Sequence, residues 1–215
     1  MIETRTVRLD PAGEDLPGIG DIAAALLRGA VAAYPTETFY ALGAAALSNK
    51  GIDRVFRLKG RDPSKALSFI VSDMDMVREV ASRLPPAFTV LAAELWPGPL
   101  TVVLPAAAGF PERLLGPGRT VALRLPPLAW LRSLVREMSE PLTATSANRS
   151  GERELADPAE VKALFGGRVD LLVDGGPAPG GRPSTIVDLA GERPRILREG
   201  AIPAARIEAL LGEPT

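Results

Sequence analysis

The sequence predicts an α/β fold: a single domain built on a layered sheet, with helices alternating with its strands. Three observations carry that expectation. Short β-rich apolar runs alternate along the chain with segments whose apolar residues recur at helical spacing. No internal repeat, low-complexity run or long Ser/Gly-rich linker divides the 215 residues, a length that fits one large domain. Hydrophobic residues make up 46% and charged residues 24%, with a formal net charge of -1, so the chain can bury a real core and is no disordered tail.

The elements follow in order. Residues 21–28 read as a helix stopped by Gly29, and the apolar run 30–34 as a buried strand that leads into a loop at Pro35. Ile52, Val55, Phe56 and Leu58 share one face of a helix over 50–58, and 66–71 reads as the next strand. Ser72 with Asp75 three positions on predicts a capping box for a helix through Ala81. A helix over 86–95 is ended by Trp96-Pro97-Gly98-Pro99, which opens a strand at 100–104. The second half continues with strands at 121–125 and 142–145 around a helix at 128–138, then a helix at 157–165 and a strand at 170–173. Strands at 185–189 and 195–197 and a closing helix at 203–211 complete it. Residues 175–183, dense in Gly and Pro, read as a mobile loop and not as a domain boundary.

The absences narrow the chemistry. With no Cys and no His, disulfides, thiol nucleophiles, zinc-finger spacings and Ser-His-Asp triads are all excluded. Any metal would be a hard, oxygen-ligated ion such as magnesium. The N-terminal segment lacks a basic region followed by an apolar core, and no apolar stretch approaches the roughly 20 residues of a membrane span, so a cytoplasmic protein with no membrane partner is expected.

Polar and glycine density concentrates in five places. Thr36, Glu37 and Thr38 follow an apolar strand, where hydroxyls serve as turn and cap residues or, at the strand ends of an open sheet, as ligand contacts. Between Asp53 and Lys65 five basic residues face two acidic ones, a surplus that either complements a helix C-terminus or forms a polyanion clamp of Lys59, Arg61 and Lys65. Trp96-Pro97-Gly98-Pro99 reads as structural punctuation. Ser146 and Asn148 follow a strand with no base to activate a nucleophile, so the hydroxyl suits phosphate or metal-water contacts. Asp174-Gly175-Gly176 through Ser184 and Thr185 joins flexible backbone to two hydroxyls, without Walker or dinucleotide spacing.

Taken in order, the motifs resemble the YrdC/YciO family. They are Tyr34-Pro35-Thr36-Glu37-Thr38-Phe39-Tyr40-Ala41-Leu42-Gly43, Lys59-Gly60-Arg61, Trp96-Pro97-Gly98-Pro99-Leu100-Thr101 and Val121-Ala122-Leu123-Arg124-Leu125-Pro126. Then come Thr145-Ser146-Ala147-Asn148, Asp174-Gly175-Gly176, Pro183-Ser184-Thr185-Ile186-Val187-Asp188 and Leu197-Arg198-Glu199-Gly200-Ala201-Ile202. The resemblance spans about residues 15–203, and a single domain over 1–215 is expected, without the extra C-terminal domain of longer relatives.

That family includes L-threonylcarbamoyladenylate synthases, which make the activated intermediate for threonylcarbamoyladenosine in tRNA from L-threonine, bicarbonate and ATP. The resemblance implies a nucleotidyltransferase built on one mixed, twisted sheet flanked by helices around a deep, basic cavity. It implies that Thr38, Arg124, the backbone at Ala144 and Ser184 hold threonine. By the same resemblance Lys59, Arg61, Lys65, Thr120, Ser146, Asn148 and Arg198 face ATP, Lys59 and Arg61 act in catalysis, and magnesium arrives with the nucleotide and not through protein side chains. A transient tRNA or tRNA-modifying transferase partner is implied too. The chain departs from the pattern in three places: 66–70 lacks a His that many relatives carry there, Lys65 stands where many have Asn, and Glu154 stands where a small hydroxyl residue is common. A YciO-type paralogue with a different carbamoyl-nucleotide activity is the alternative enzyme, and an RNA-binding module the alternative of another class. A pI near 5.7 and 5% aromatic residues argue against tight RNA binding, which needs basic surfaces and stacking platforms.

Overall fold

A computed structural model describes residues 2–9, 15–62 and 66–212. Its elements run β1 (Arg5–Arg8), α1 (Ile19–Leu27), β2 (Ala32–Pro35), β3 (Tyr40–Gly43), α2 (Asn49–Lys59), β4 (Ser68–Ile70), α3 (Met74–Val80), α4 (Pro86–Leu95) and β5 (Leu100–Pro105). A 3-10 turn at Glu112–Leu114 precedes β6 (Thr120–Arg124), α5 (Ala129–Met138), β7 (Leu142–Ser146), α6 (Pro158–Phe165), β8 (Leu171–Asp174), β9 (Thr185–Asp188), β10 (Arg195–Arg198) and α7 (Ala204–Leu211).

The strands form one mixed sheet in the order β1-β8-β2-β3-β7-β4-β6-β5-β9-β10. Pairing is parallel for β1/β8, β8/β2, β4/β6 and β5/β9 and antiparallel elsewhere. Two strands escape the apolar-run criterion. In β1 only Val7 is buried, so its four residues carry no alternation signal, and β3 lies directly after the Thr36-to-Phe39 turn, where polar residues mask the return strand. The helix at 72–81 is also capped one residue later than the Ser72 pattern suggests. Asp73 is the cap, its Oδ1 accepting from the N–H groups of Asp75 and Met76 at 3.1 and 3.0 Å, while the Ser72 hydroxyl donates to Asp73 Oδ2 at 2.9 Å. Asp serves better than Ser here because a carboxylate at the helix N-terminus also meets the macrodipole.

Side-chain alternation turns this sheet into a cavity wall. Leu100, Val102 and Leu104 of β5, Val121 and Leu123 of β6 and Val187 of β9 are buried in the apolar core, whereas their neighbours Thr101, Val103, Thr120, Ala122, Arg124, Ser184, Ile186 and Asp188 line a cavity. Successive side chains on a strand point to opposite faces, so the central strands present the core on one side and the cavity on the other. α1 packs on α5 and α4 on α7, and Trp130, Phe69, Phe88 and Phe165 are among the largest fully buried side chains.

Candidate functional site

The cavity has a volume of about 410 Å³ and is lined by Arg61, Arg124, Arg195 and Arg198, with two carboxylates, Glu154 and Asp188. Of the residues expected from sequence, Thr38, Arg61, Thr120, Arg124, Ala144, Ser146, Ser184 and Arg198 all line it. Lys65 lies outside the described residues. Lys59 and Asn148 stand behind the wall.

Lys59 shows why. Its α-helix ends on Gly60, whose left-handed φ of 58° turns the chain so that Arg61 enters the cavity while Lys59 stays 3% exposed. The Lys59 ammonium donates to the Ser146 carbonyl at 2.5 Å, the Asn148 carbonyl at 3.1 Å and Asn148 Oδ1 at 2.7 Å. Ser146 Oγ donates to the same Oδ1 at 2.7 Å, and the Asn148 amide donates to the Glu152 carbonyl at 2.6 Å. Lys59 therefore braces the 146–148 turn and does not itself line the cavity. Burial, with Arg61 beside it, lowers its pKa from 10.5 to about 8, and Glu154 pulls in the opposite direction.

Hydroxyls form a second cluster. Thr36 Oγ1 lies 3.1 Å from Thr38 Oγ1 and donates to the Phe39 carbonyl at 2.7 Å, which leaves the Thr38 hydroxyl hydrogen as the donor between them or toward the cavity. Thr101 Oγ1 lies 2.9 Å from Ser184 Oγ, and Arg198 Nη2 donates to Ser184 Oγ at 3.2 Å and to the Ser184 carbonyl at 2.8 Å. Burial disfavours the charge on both Arg61 and Arg198, a strain that a bound anion would relieve. Arg61 Nη2 donates to the Ala66 carbonyl at 2.7 Å, which holds it across the mouth of β4.

Segment 175–183 carries no helix or strand, but it is tied down. The Tyr40 hydroxyl donates to the Gly176 carbonyl at 2.8 Å and accepts from the Gly175 amide at 3.3 Å; the Ala178 amide reaches the Ala156 carbonyl and the Gly180 amide the Thr38 carbonyl, at 2.8 and 2.7 Å. Burial pushes the Tyr40 phenol up to about 12, so it remains a donor across the physiological range. Thr36 of the first polar cluster lines the cavity, and so do Ser68, Thr101, Asp188 and Arg195, which the sequence does not mark as ligand contacts. Thr101 was legible in principle: a hydroxyl flanked by Leu100 and Val102 within a buried strand is a polar residue pointing away from the core. Arg195 and Asp188 sit on exposed or half-buried strand positions, where a charge is unremarkable.

A family model named Sua5_yciO_yrdC, described as "Telomere recombination", matches residues 24–200. The chain belongs to this family. Threonylcarbamoyl-AMP synthase of Pyrococcus abyssi is 36% identical over 193 residues, covering 89% of this chain and 57% of that protein. Pyrococcus abyssi Sua5, solved in complex with L-threonine, superposes with a TM-score of 0.86 at 33% identity, over 99% of this chain and 61% of that one. Escherichia coli YciO superposes with a TM-score of 0.79 at 26% identity, over 94% and 97%. The chain thus spans less than two thirds of the Pyrococcus protein and nearly all of YciO. No helix among the described residues is long and apolar enough to cross a membrane.

Proposed function

We propose that this chain is a nucleotidyltransferase that makes threonylcarbamoyl-AMP and pyrophosphate from L-threonine, bicarbonate and ATP, for threonylcarbamoyladenosine formation in tRNA. The observation that carries this reading is Arg124. It is 7% exposed and lines the cavity, yet its one ion-pair partner among the described residues is Glu37, so most of its five donors are left for a ligand. A planar, always-charged fork suits a carboxylate bound through two parallel hydrogen bonds. Thr38 and Ser184, with Thr101 behind the latter, offer hydroxyls for the polar side chain of the same amino acid. The threonine complex of the Pyrococcus relative supports threonine as the amino acid.

The chemistry then needs no protein nucleophile. The free amine of threonine attacks bicarbonate to give the N-carboxylate and water, and a carbamate oxygen attacks the α-phosphorus of ATP as pyrophosphate leaves. Arg61, Arg198 and the 146–148 turn orient the triphosphate and meet the charge that develops on it. The surrounding guanidinium groups also disfavour the ammonium form of the bound amino acid, raising the fraction of amine able to attack. Magnesium enters as the counter-ion of the triphosphate. The N-carboxylate would be handed on, as the adenylate, to a transferase acting on tRNA, in the cytoplasm.

The structural likeness to YciO favours one second reading, the same cavity acting on another amino compound. Incubation with ATP, bicarbonate and each amino acid in turn, with the adenylate detected by mass spectrometry, separates the two. Threonine is expected to give product, serine to react about tenfold less well for the loss of one methyl, and valine to be rejected because it leaves buried hydroxyls unpaired. Valine reacting as well as threonine would establish the second reading.

A further inference from the structure

Glu37 is the least satisfied polar group of the described structure. Both of its carboxylate oxygens are buried with no hydrogen-bond partner, and its side chain is 9% exposed. Its one ion pair is with Arg124, Oε1 to Nη1 at 3.2 Å, where the two groups touch without the alignment of a hydrogen bond. A buried carboxylate in this state is unfavourable unless a charge faces it, because desolvation is not returned by hydrogen bonds. The turn that carries it is rigid: Thr36 and Thr38 on either side of it are buried and joined through their hydroxyls, and the Thr36 amide donates to the Phe39 carbonyl at 3.0 Å. Behind it Tyr34 is pinned by its hydroxyl to the Thr143 carbonyl at 2.7 Å, and its phenol, raised chiefly by burial, also feels both Arg124 and Glu37. Glu37 does not line the cavity, whereas Arg124 does.

We infer that Glu37 is a positioning residue for the substrate carboxylate, acting through Arg124: it anchors one edge of the guanidinium from behind so that the remaining donors stand ready for a carboxylate in front. Arg124 would otherwise have no side-chain partner among the described residues, and the entropy of ordering its long side chain would be borne at each binding event. Leaving Glu37 imperfectly paired also keeps the guanidinium from being satisfied at home, since a well-formed bidentate pair would compete with the ligand for the same donors. This inference rests on the proposed function only for the identity of the ligand; the arrangement itself selects a carboxylate-bearing compound.

The test is a pair of titrations, L-threonine and L-threoninamide, against the wild type, Glu37→Gln, Glu37→Asp and Arg124→Gln, with a non-hydrolysable ATP analogue titrated in parallel. Glu37→Gln is expected to weaken threonine about tenfold and threoninamide hardly at all, with the ATP analogue unchanged. Glu37→Asp, which keeps the charge, is expected to recover part of the loss, and in an Arg124→Gln background Glu37→Gln should have no further effect on threonine. Equal loss for threonine, threoninamide and the nucleotide would mean a merely structural role and overturn the inference, as would unchanged or tighter threonine binding. If Glu37→Gln fails to fold, Glu37→Asp decides alone: a loss confined to threonine supports the inference, and a loss shared by all three ligands overturns it. Failure of the wild type to bind threonine at all is a different outcome, one that removes the proposed function.

Discussion

Lys59 and Arg61 are two residues apart and do opposite things because a single glycine separates them. The left-handed turn at Gly60 sends one cation into the wall and the other into the cavity. Arg61→Ala is therefore expected to leave the fold intact and to lower kcat/KM on the order of a hundredfold, the effect of removing one preorganised charge from a transition-state clamp. Steady-state kinetics alongside a thermal melt check this, and near-normal turnover would remove Arg61 from the clamp. Lys59 is read out by pH. Its folded pKa of about 8 lies below its ordinary 10.5, so between these values the unfolded chain holds the proton more tightly than the folded one. The contribution of this group to stability accordingly rises as pH increases from about 8 to 10.5. Nucleotide affinity should move the other way, falling as pH rises through about 8 because a neutral Lys59 holds the 146–148 turn less firmly. Titration of an ATP analogue across this range should show that inflection in the wild type and lose it in Lys59→Met.

The strand pair β9/β10 and its exit turn show how elements, not single residues, build the site. A side-chain carbon on Gly200 would stand 2.1 Å from the Pro183 carbonyl oxygen and 2.6 Å from the Ser184 carbonyl carbon, so the two segments meet backbone to backbone. Thr185 Oγ1 fastens the same contact, accepting from the Gly200 and Ile202 amides at 3.0 Å each and donating to the Ile202 carbonyl at 2.6 Å. Gly200→Ala is expected to destabilise by about 2 kcal/mol or more and to weaken ligand binding, because Arg198 and Ser184 must move apart. Denaturant unfolding with ligand titration checks both, and wild-type stability would mean the two segments are not in contact. This contact is also where sequence reading runs out. The helices α2, α4, α5 and α7 were legible from apolar spacing, and the strands β5, β6 and β7 from apolar runs, since burial on the core face dominates their composition. What no local pattern contains is the parallel pairing of β5 with β9, some 85 residues apart, which brings Thr101 against Ser184. β3 and the anchoring of segment 175–183 by Tyr40, Ala156 and Thr38 depend on the same kind of long-range contact.

At the scale of the molecule, the sheet is a partition between an apolar core and a cavity lined by residues of seven strands, β3, β4, β5, β6, β7, β9 and β10, and of the loops beside them, which together bring in its hydroxyls and guanidinium groups. Most of the motifs quoted from the sequence converge there because they lie at a strand or just beyond its end, where the alternation of faces delivers every second side chain to the cavity, while Arg61 arrives from the end of α2. Such an arrangement supplies orientation and positive charge, and the proposed reaction asks for no protein nucleophile. The most direct measurement is the release of pyrophosphate from ATP in the presence of carbon-13 bicarbonate, with and without L-threonine, followed by mass analysis of the adenylate. Pyrophosphate release that depends on threonine, together with the label in a threonylcarbamoyl adenylate, is the expected result. Release that is indifferent to threonine, or an adenylate without the label, would contradict it.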